Sequence, residues 1–349
     1  MDKYEQIKRS PLFRVSLSSK ELFHTNFISW ALETEEDNLN SQVFTILFKE
    51  KLKTELIVER EKDNIDLRIK ANGKIFIIEN KVKDILGDKQ ARKIENKKAD
   101  VYLLLTLLPQ KFYFDMSKWK VKDYSKLIKD FSKLNITNEY HKLLFEDYIK
   151  MVQLLIDIIS ENIIKEVYNF NWSNPGLLAP LQELRMHDVF IKYGASCLLE
   201  YITRNININE LLNCGYTFKP TFGFSHNHPI VDIFWENDFY IIGIQIEDKY
   251  YRKIFMLKKG KTEEIACELR KRNIWFDSNW KSKQKKEFCT YDSLKDSPTF
   301  MYQYSNEYFT KNTKFNEIVK LINKSMEEIK KRDSEIYKIC RRVLTTAST

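Results

Sequence analysis

Asp66, Glu79 and Lys81 are the residues of this chain whose types and spacing best suit chemistry. Two carboxylates supply the hard oxygen ligands that Mg²⁺ or Mn²⁺ takes while keeping several waters of its own. A cation held so makes one of those waters nucleophilic, and a neighbouring positive group offsets the charge that builds on phosphorus. Residues two apart on a strand project from one face, so Glu79 and Lys81 point together while Asn80 points away. The trio therefore suits metal-assisted hydrolysis of a phosphodiester.

The spacing Glu-x-Lys is cheap in a lysine-rich chain. It occurs four times, at Glu79 to Lys81, Glu95 to Lys97, Glu247 to Lys249 and Glu328 to Lys330. The second and fourth sit in polar or helical contexts with no strand-borne acid before them. The third is a rival, because Asp232, the apolar run at 240–246, then Glu247 and Lys249 imitate the first layout. His226 and His228 in FSHNHP place two imidazoles near each other, but no nearby Cys or third His completes a zinc set. No nucleophile elbow supports a serine triad, and no glycine-rich loop supports ATP or NAD use.

The elements that must position the trio are legible around it. The segment at 18–33, SSKELFHTNFISWALE, carries apolar residues at helical spacing, with Ser18 or Ser19 as a cap. A second helix is expected at 40–52, then strands at 55–59 and 65–70 separated by EKDN. Asn72-Gly73 is a turn that pairs the Asp66 strand antiparallel with KIFIIENK at 74–81. A helix at 88–98, a strand at 101–108 and helices at 124–131 and 140–164 follow, the order of an α/β core. NWSNPG at 171–176 stops any regular element and divides the chain into domains at 1–168 and 169–349. Beyond it come helical segments, a β-rich stretch at 217–246 and a charged amphipathic helix at 315–342.

Ile65-Asp66 followed by IFIIENK, preceded by LFHTNFISWAL and followed by Gln90, resembles the PD-(D/E)xK nuclease superfamily, and within it the bacterial proteins with an ENK motif. The strand at 101–108 followed by Trp119 and Tyr124, and the helix around Tyr148, are similar as well. The likeness covers residues 10–160 and rests on the combination of these pieces. It implies an α/β fold with a restriction-endonuclease-like mixed β-sheet core flanked by helices. It also implies Asp66, Glu79 and the Asn80 backbone carbonyl as ligands of Mg²⁺ or Mn²⁺, Lys81 as the catalytic lysine, and Gln90 as a residue that contacts substrate or positions the site. Ile65 stands in place of the signature proline and leaves the carboxylate where it is. Some relatives place a His or Glu of the first helix at the site, so His24 is a candidate, with a structural histidine as the alternative. Glu21 and Glu33 are candidates of the same kind. Glu59 is either a further carboxylate of the site or a solvent-facing strand residue.

The implied activity is that of a Mg²⁺-dependent nuclease, a DNA endonuclease in restriction or anti-phage defence. A nuclease-fold module that binds nucleic acid or protein without cutting, and an RNA-cleaving enzyme, stay open. Two antiparallel strands are most simply met by two sites related by a twofold axis, so a homodimer is the geometric expectation.

Composition agrees with a globular protein: 349 residues, 43% hydrophobic, 13% aromatic, 8 Gly and 7 Pro. No stretch approaches the roughly 20 apolar residues that span a bilayer, and MDKYEQIKRS carries charges where a secretory apolar region would lie. A cytoplasmic protein with no membrane partner is expected, its five cysteines reduced. The formal net charge of +9 is uneven: residues 249–289 hold 13 Lys/Arg against 5 Asp/Glu, with Tyr250, Tyr251, Trp275 and Trp280 among them. Cations neutralise phosphates and aromatic faces accept bases, so Lys253, Arg270, Arg272, Trp275, Trp280 and Lys281 are candidate contacts to DNA in an α+β C-terminal domain. The alternative is a solvated lysine-rich face.

Overall fold

The computed structural model describes residues 2–16, 20–164, 175–225, 228–259, 262–278, 289–291 and 300–346. It is mixed α/β and divides into two units. The first comprises Met1–Lys165 with Pro175–Tyr193, the second Glu166–Asn174 with Gly194–Thr349. Pro175–Tyr193 thus groups with the first unit instead of opening the second.

The first unit begins with helices α1 (Lys3–Arg9), α2 (Pro11–Ser16), α3 (Lys20–Glu33) and α4 (Leu39–Phe48). The proposed caps Ser18 and Ser19 lie outside the described residues. Helix α4 stops four residues before the expected end, because Lys49 adopts a left-handed φ of 59° and its N–H caps the Thr45 carbonyl. Strands β1 (Ile57–Lys62), β2 (Ile65–Ala71) and β3 (Lys74–Lys81) form two antiparallel hairpins. Their turns, Asp63-Asn64 with φ 58° at both residues and Asn72-Gly73 with φ 53° and 72°, are left-handed. That geometry matches the twist of the strands, and Asn, Asp and Gly adopt it most readily.

Helix α5 (Asp88–Glu95) crosses over from β3 to β4 (Val101–Thr106), which pairs parallel with β3, and β5 (Trp119–Asp123) adds in parallel. The sheet order is β1-β2-β3-β4-β5, and β3 is where antiparallel pairing gives way to parallel. Helices α6 (Tyr124–Phe131), α7 (Glu139–Ile164), α8 (Pro175–Glu183) and α9 (His187–Asn205) follow, and α9 runs across the division at Tyr193. One sheet face buries Ile77, Tyr102, Leu104 and Trp119 against Ala91 and Ile94 of α5. The other presents Phe76 to Phe44 and Phe48 of α4, with ring centroids 5.1 and 4.5 Å apart. Beyond it Phe27 of α3 stacks on Tyr148 of α7 at 3.7 Å. Each such ring removed from water contributes about 1.5–3 kcal/mol.

The second unit holds α10 (Asn209–Leu212), β6 (Thr217–Ser225), β7 (His228–Glu236), β8 (Tyr240–Glu247), β9 (Tyr250–Leu257), α11 (Thr262–Lys271), β10 (Cys289–Tyr291), β11 (Phe300–Tyr308) and α12 (Phe315–Thr346). Its sheet, ordered β10-β11-β9-β8-β7-β6, is antiparallel throughout. Helix α12 presents Ile318, Ile322, Met326, Ile329 and Ile336 as one buried stripe. Gly243 is required where it stands, for a Cβ there would lie 2.3 Å from the Ile233 carbonyl oxygen. No helix of the described residues is long and apolar enough to cross a membrane.

Candidate active site

The pairing of β2 with β3 brings the trio together. Leu67 is opposite Ile78, so Asp66 and Glu79 meet one step further along. Asp66 Oδ2 accepts the main-chain N–H of Asn80 at 2.6 Å. Lys81 Nζ lies 2.8 Å from Glu79 Oε1, and both side chains are nearly sealed from solvent. Gln90, half-buried on α5, donates from Nε2 to the same Oε1 at 2.7 Å. The second oxygen, Oε2, is buried and has no hydrogen-bond partner.

A fourth charged group stands over the end of β3. Glu21, near the start of α3, accepts the Lys83 N–H at 3.1 Å. It interacts electrostatically with Lys81 and Asp66. Glu21 is one of several first-helix candidates in the sequence, and its place follows from the packing of α3 against β3, which local sequence does not encode. Glu33, near the far end of that helix, accepts instead from Ser29 Oγ at 3.2 Å.

Electrostatics mark the cluster as short of positive charge. Burial first, then Asp66, pushes Glu79 up to about 7, against the opposing pull of Lys81. Burial also raises Asp66, although the Asn80 N–H and Lys81 favour its charged form. Glu21 is raised by burial, with Lys81 opposing. Burial lowers Lys81, but Glu79, Glu21 and Asp66 together more than reverse this and keep it protonated.

Asn80 turns its side chain to the opposite face, into a buried polar network. Its Nδ2 donates to Thr25 Oγ1 at 3.3 Å, and its Oδ1 accepts from Tyr124 O–H at 3.0 Å. Tyr124 and Tyr148 influence each other electrostatically. His24 Nδ1 lies 2.8 Å from Tyr148 OH, and His24 is wholly buried. The structure therefore places His24 among packing groups behind β3 and not with Asp66 and Glu79. Glu59, opposite Arg68, is taken up by Lys62 at 2.6 Å and Arg68 at 3.9 Å. These pairings hold its carboxyl below the usual range, the Lys62 hydrogen bond being the main cause.

In the second unit the rival layout does not assemble. Asp232 faces Gln245 across β7 and β8, while Glu247 pairs with Arg252 at 2.7 Å and accepts from Tyr304 O–H at 2.9 Å. The basic-aromatic stretch folds inward more than composition implied. Lys253 pairs with Glu328 at 2.6 Å and lies 4.6 Å from the Trp275 ring, in the wall of a cleft of about 410 Å³. Trp275 is buried and donates from Nε1 to the Ile254 carbonyl at 2.8 Å. Arg270 donates to the Ser278 carbonyl and Arg272 pairs with Glu268. Trp280 and Lys281 lie outside the described residues, as does His226. His228 is exposed, 4.0 Å from Asp248.

Among the described residues no group of three or more His, Cys, Asp or Glu side chains is placed to hold a metal ion. A cation between Asp66 and Glu79 would draw its remaining ligands from a main-chain carbonyl and water, as Mg²⁺ commonly does. No protein-family model matches this chain, and neither a curated protein nor a solved structure matches it.

Proposed function

We propose that the first unit is a metal-dependent phosphodiesterase of the PD-(D/E)xK kind, with a restriction-endonuclease-like core, that cuts DNA. The observation that carries this reading is the meeting of Asp66, Glu79 and Lys81 at the ends of two adjacent strands, with Glu79 Oε2 buried and unpartnered.

A divalent cation suits that place. A buried carboxylate with an orphaned oxygen, repelled by a half-buried one beside it, is an environment a hard cation relieves. Asp66, Glu79 and the Asn80 carbonyl would hold Mg²⁺ or Mn²⁺. When bound, such an ion supplies a nucleophilic water near neutral pH and neutralises charge on the phosphate. Lys81, kept protonated by three carboxylates, orients the attacking water and stabilises charge growing on the phosphate oxygens. Gln90 fixes the rotamer of Glu79 through its 2.7 Å hydrogen bond. The setting we infer is restriction or defence against foreign DNA, with two copies related by a twofold axis serving the two strands.

The test incubates the purified protein with plasmid DNA, linear DNA and RNA in Mg²⁺ or Mn²⁺. Wild type is compared with Glu79→Ala, Lys81→Ala and Glu247→Ala. DNA cutting that needs the metal, is lost in the first two variants and persists in the third is the expected result. Cutting that survives both first substitutions places the chemistry elsewhere. Tight binding with no cutting of any substrate supports a binding module, and cutting of RNA alone changes the substrate.

A further inference from the structure

One row of polar side chains crosses the second unit's sheet, with one residue from each of five strands. Thr221 is opposite Asp232, Asp232 opposite Gln245, Gln245 opposite Arg252, and Arg252 opposite Tyr304. Helix α12 packs on the other face, where Lys253 meets Glu328 and Tyr251 meets Ser325.

Most of the row is satisfied from within. Asp232 accepts from Thr221 Oγ1 at 2.9 Å and from Gln245 Nε2 at 2.6 Å. Donation to a carboxylate fixes the Gln245 amide with its oxygen turned away. Arg252 Nη1 donates to Glu247 at 2.7 Å and to Tyr304 OH at 3.3 Å. Two atoms are left over: Gln245 Oε1 and Arg252 Nε are buried and have no hydrogen-bond partner. Gln245 is 7% exposed and Arg252 6%. An acceptor and a donor therefore stand orphaned on directly opposed residues of adjacent strands. Buried polar atoms of native proteins are rarely left so, because each costs its full desolvation.

The surroundings are aromatic. The Arg252 guanidinium lies 4.3 Å from the Tyr302 ring, Tyr250 meets Tyr304 edge-on at 5.8 Å, and Phe234 stands 6.2 Å from Phe300. Phe234, Tyr250, Tyr302 and Tyr304 each keep part of their surface exposed.

We propose that this row reads the edge of an unpaired base in a single nucleic-acid strand. A base edge carries an N–H beside a carbonyl or ring nitrogen, which matches Gln245 Oε1 and Arg252 Nε–H, and base faces stack on aromatic rings. A peptide offers the same donor and acceptor, but peptides add to sheets along an edge strand, whereas these groups lie on a face crossing the central strands. The inference is independent of the nuclease reading.

The test uses the full chain in EDTA, where metal-dependent cutting is blocked, so failure here and failure of the nuclease reading are separate results. Fluorescein-labelled single strands of about twelve nucleotides, DNA and RNA, are titrated by anisotropy beside the matching duplexes and free nucleosides. Single strands of at least one kind should bind about tenfold or more tighter than their duplex. Gln245→Leu, and Arg252→Lys, which keeps a cation for Glu247 but removes Nε–H, should each weaken binding about tenfold. Melting temperatures tell binding from folding, and a variant that melts lower yields its reading to the other. Variants that bind like wild type, duplex bound as well as single strand, or saturation by nucleosides but not by oligonucleotides would each overturn the proposal.

Discussion

Lys81 Nζ lies 2.8 Å from Glu79 Oε1, the two residues separated by one position on β3 and both nearly sealed from water. The pair is not self-sufficient, since one lysine faces Glu79, Asp66 and Glu21 together. Such a cluster is held by geometry and gains from any further cation, so its energetics should depend strongly on pH and on metal.

Glu79 shows the sign of that dependence. Its carboxyl is pushed from 4.5 up to about 7, by burial first and Asp66 second. Between those values the folded protein keeps a proton that the unfolded chain has released. Stability of the metal-free protein therefore falls as pH rises from about 4.5 to about 7 and levels off above, by up to roughly 3 kcal/mol. Thermal melts in EDTA across this range measure it. Glu79→Gln should flatten most of the slope, and a slope unchanged in that variant would contradict the assignment.

Replacing Lys81 with methionine leaves the carboxylates without their cation. Loss of one partner of a buried pair costs about 3–5 kcal/mol when the other stays charged. Here Glu79 can take up a proton instead, so the loss should be small near pH 5 and approach about 3 kcal/mol near pH 8. Any metal-dependent cleavage should fall by about a hundredfold or more. Denaturant titrations at the two pH values check the first outcome, and a loss equal at both would show that Lys81 serves packing alone.

Behind β3, Tyr124→Phe removes the hydroxyl that donates to Asn80 Oδ1 at 3.0 Å. The remaining acceptor is buried, so the expected cost is about 1–3 kcal/mol. Because Asn80 lies between Glu79 and Lys81, looser anchoring should also weaken Mg²⁺ binding measured by calorimetry. Lost stability with unchanged Mg²⁺ affinity would make the network purely structural.

Much of this was readable beforehand. Asn72-Gly73 announced the hairpin that sets Asp66 beside Glu79, and IFIIENK announced the buried strand that carries Glu79 and Lys81. What stayed hidden depended on distant partners. His24 is an inward packing residue because Tyr148, 124 residues further along, receives it. The polar atoms of Lys253 and Trp275, candidate polyanion contacts by composition, meet Glu328 and the Ile254 carbonyl. A lysine stem and an indole ring both pack well once their polar ends are satisfied, and composition cannot say whether they will be. Strand β5, WKVKD, is not legible in the sequence because its polar residues dilute the apolar signal and only parallel pairing with β4 defines it.

Gly243 gives the sharpest test of the second unit. It is opposite Phe234 on β7 and Ile254 on β9, where a Cβ would stand 2.3 Å from the Ile233 carbonyl oxygen and 2.9 Å from Phe234 Cα. Both obstacles are backbone, so no side-chain rotation relieves them and the strands must part. Gly243→Ala should cost about 3 kcal/mol, at the upper end for overpacking a tight site. Hydrogen exchange should show lost protection along β7, β8 and β9, while the β2–β3 hairpin bearing Asp66 and Glu79 keeps its own. Full protection of β8 in the alanine variant would mean that the sheet can open there at little cost, and the close approach would then not be what demands glycine.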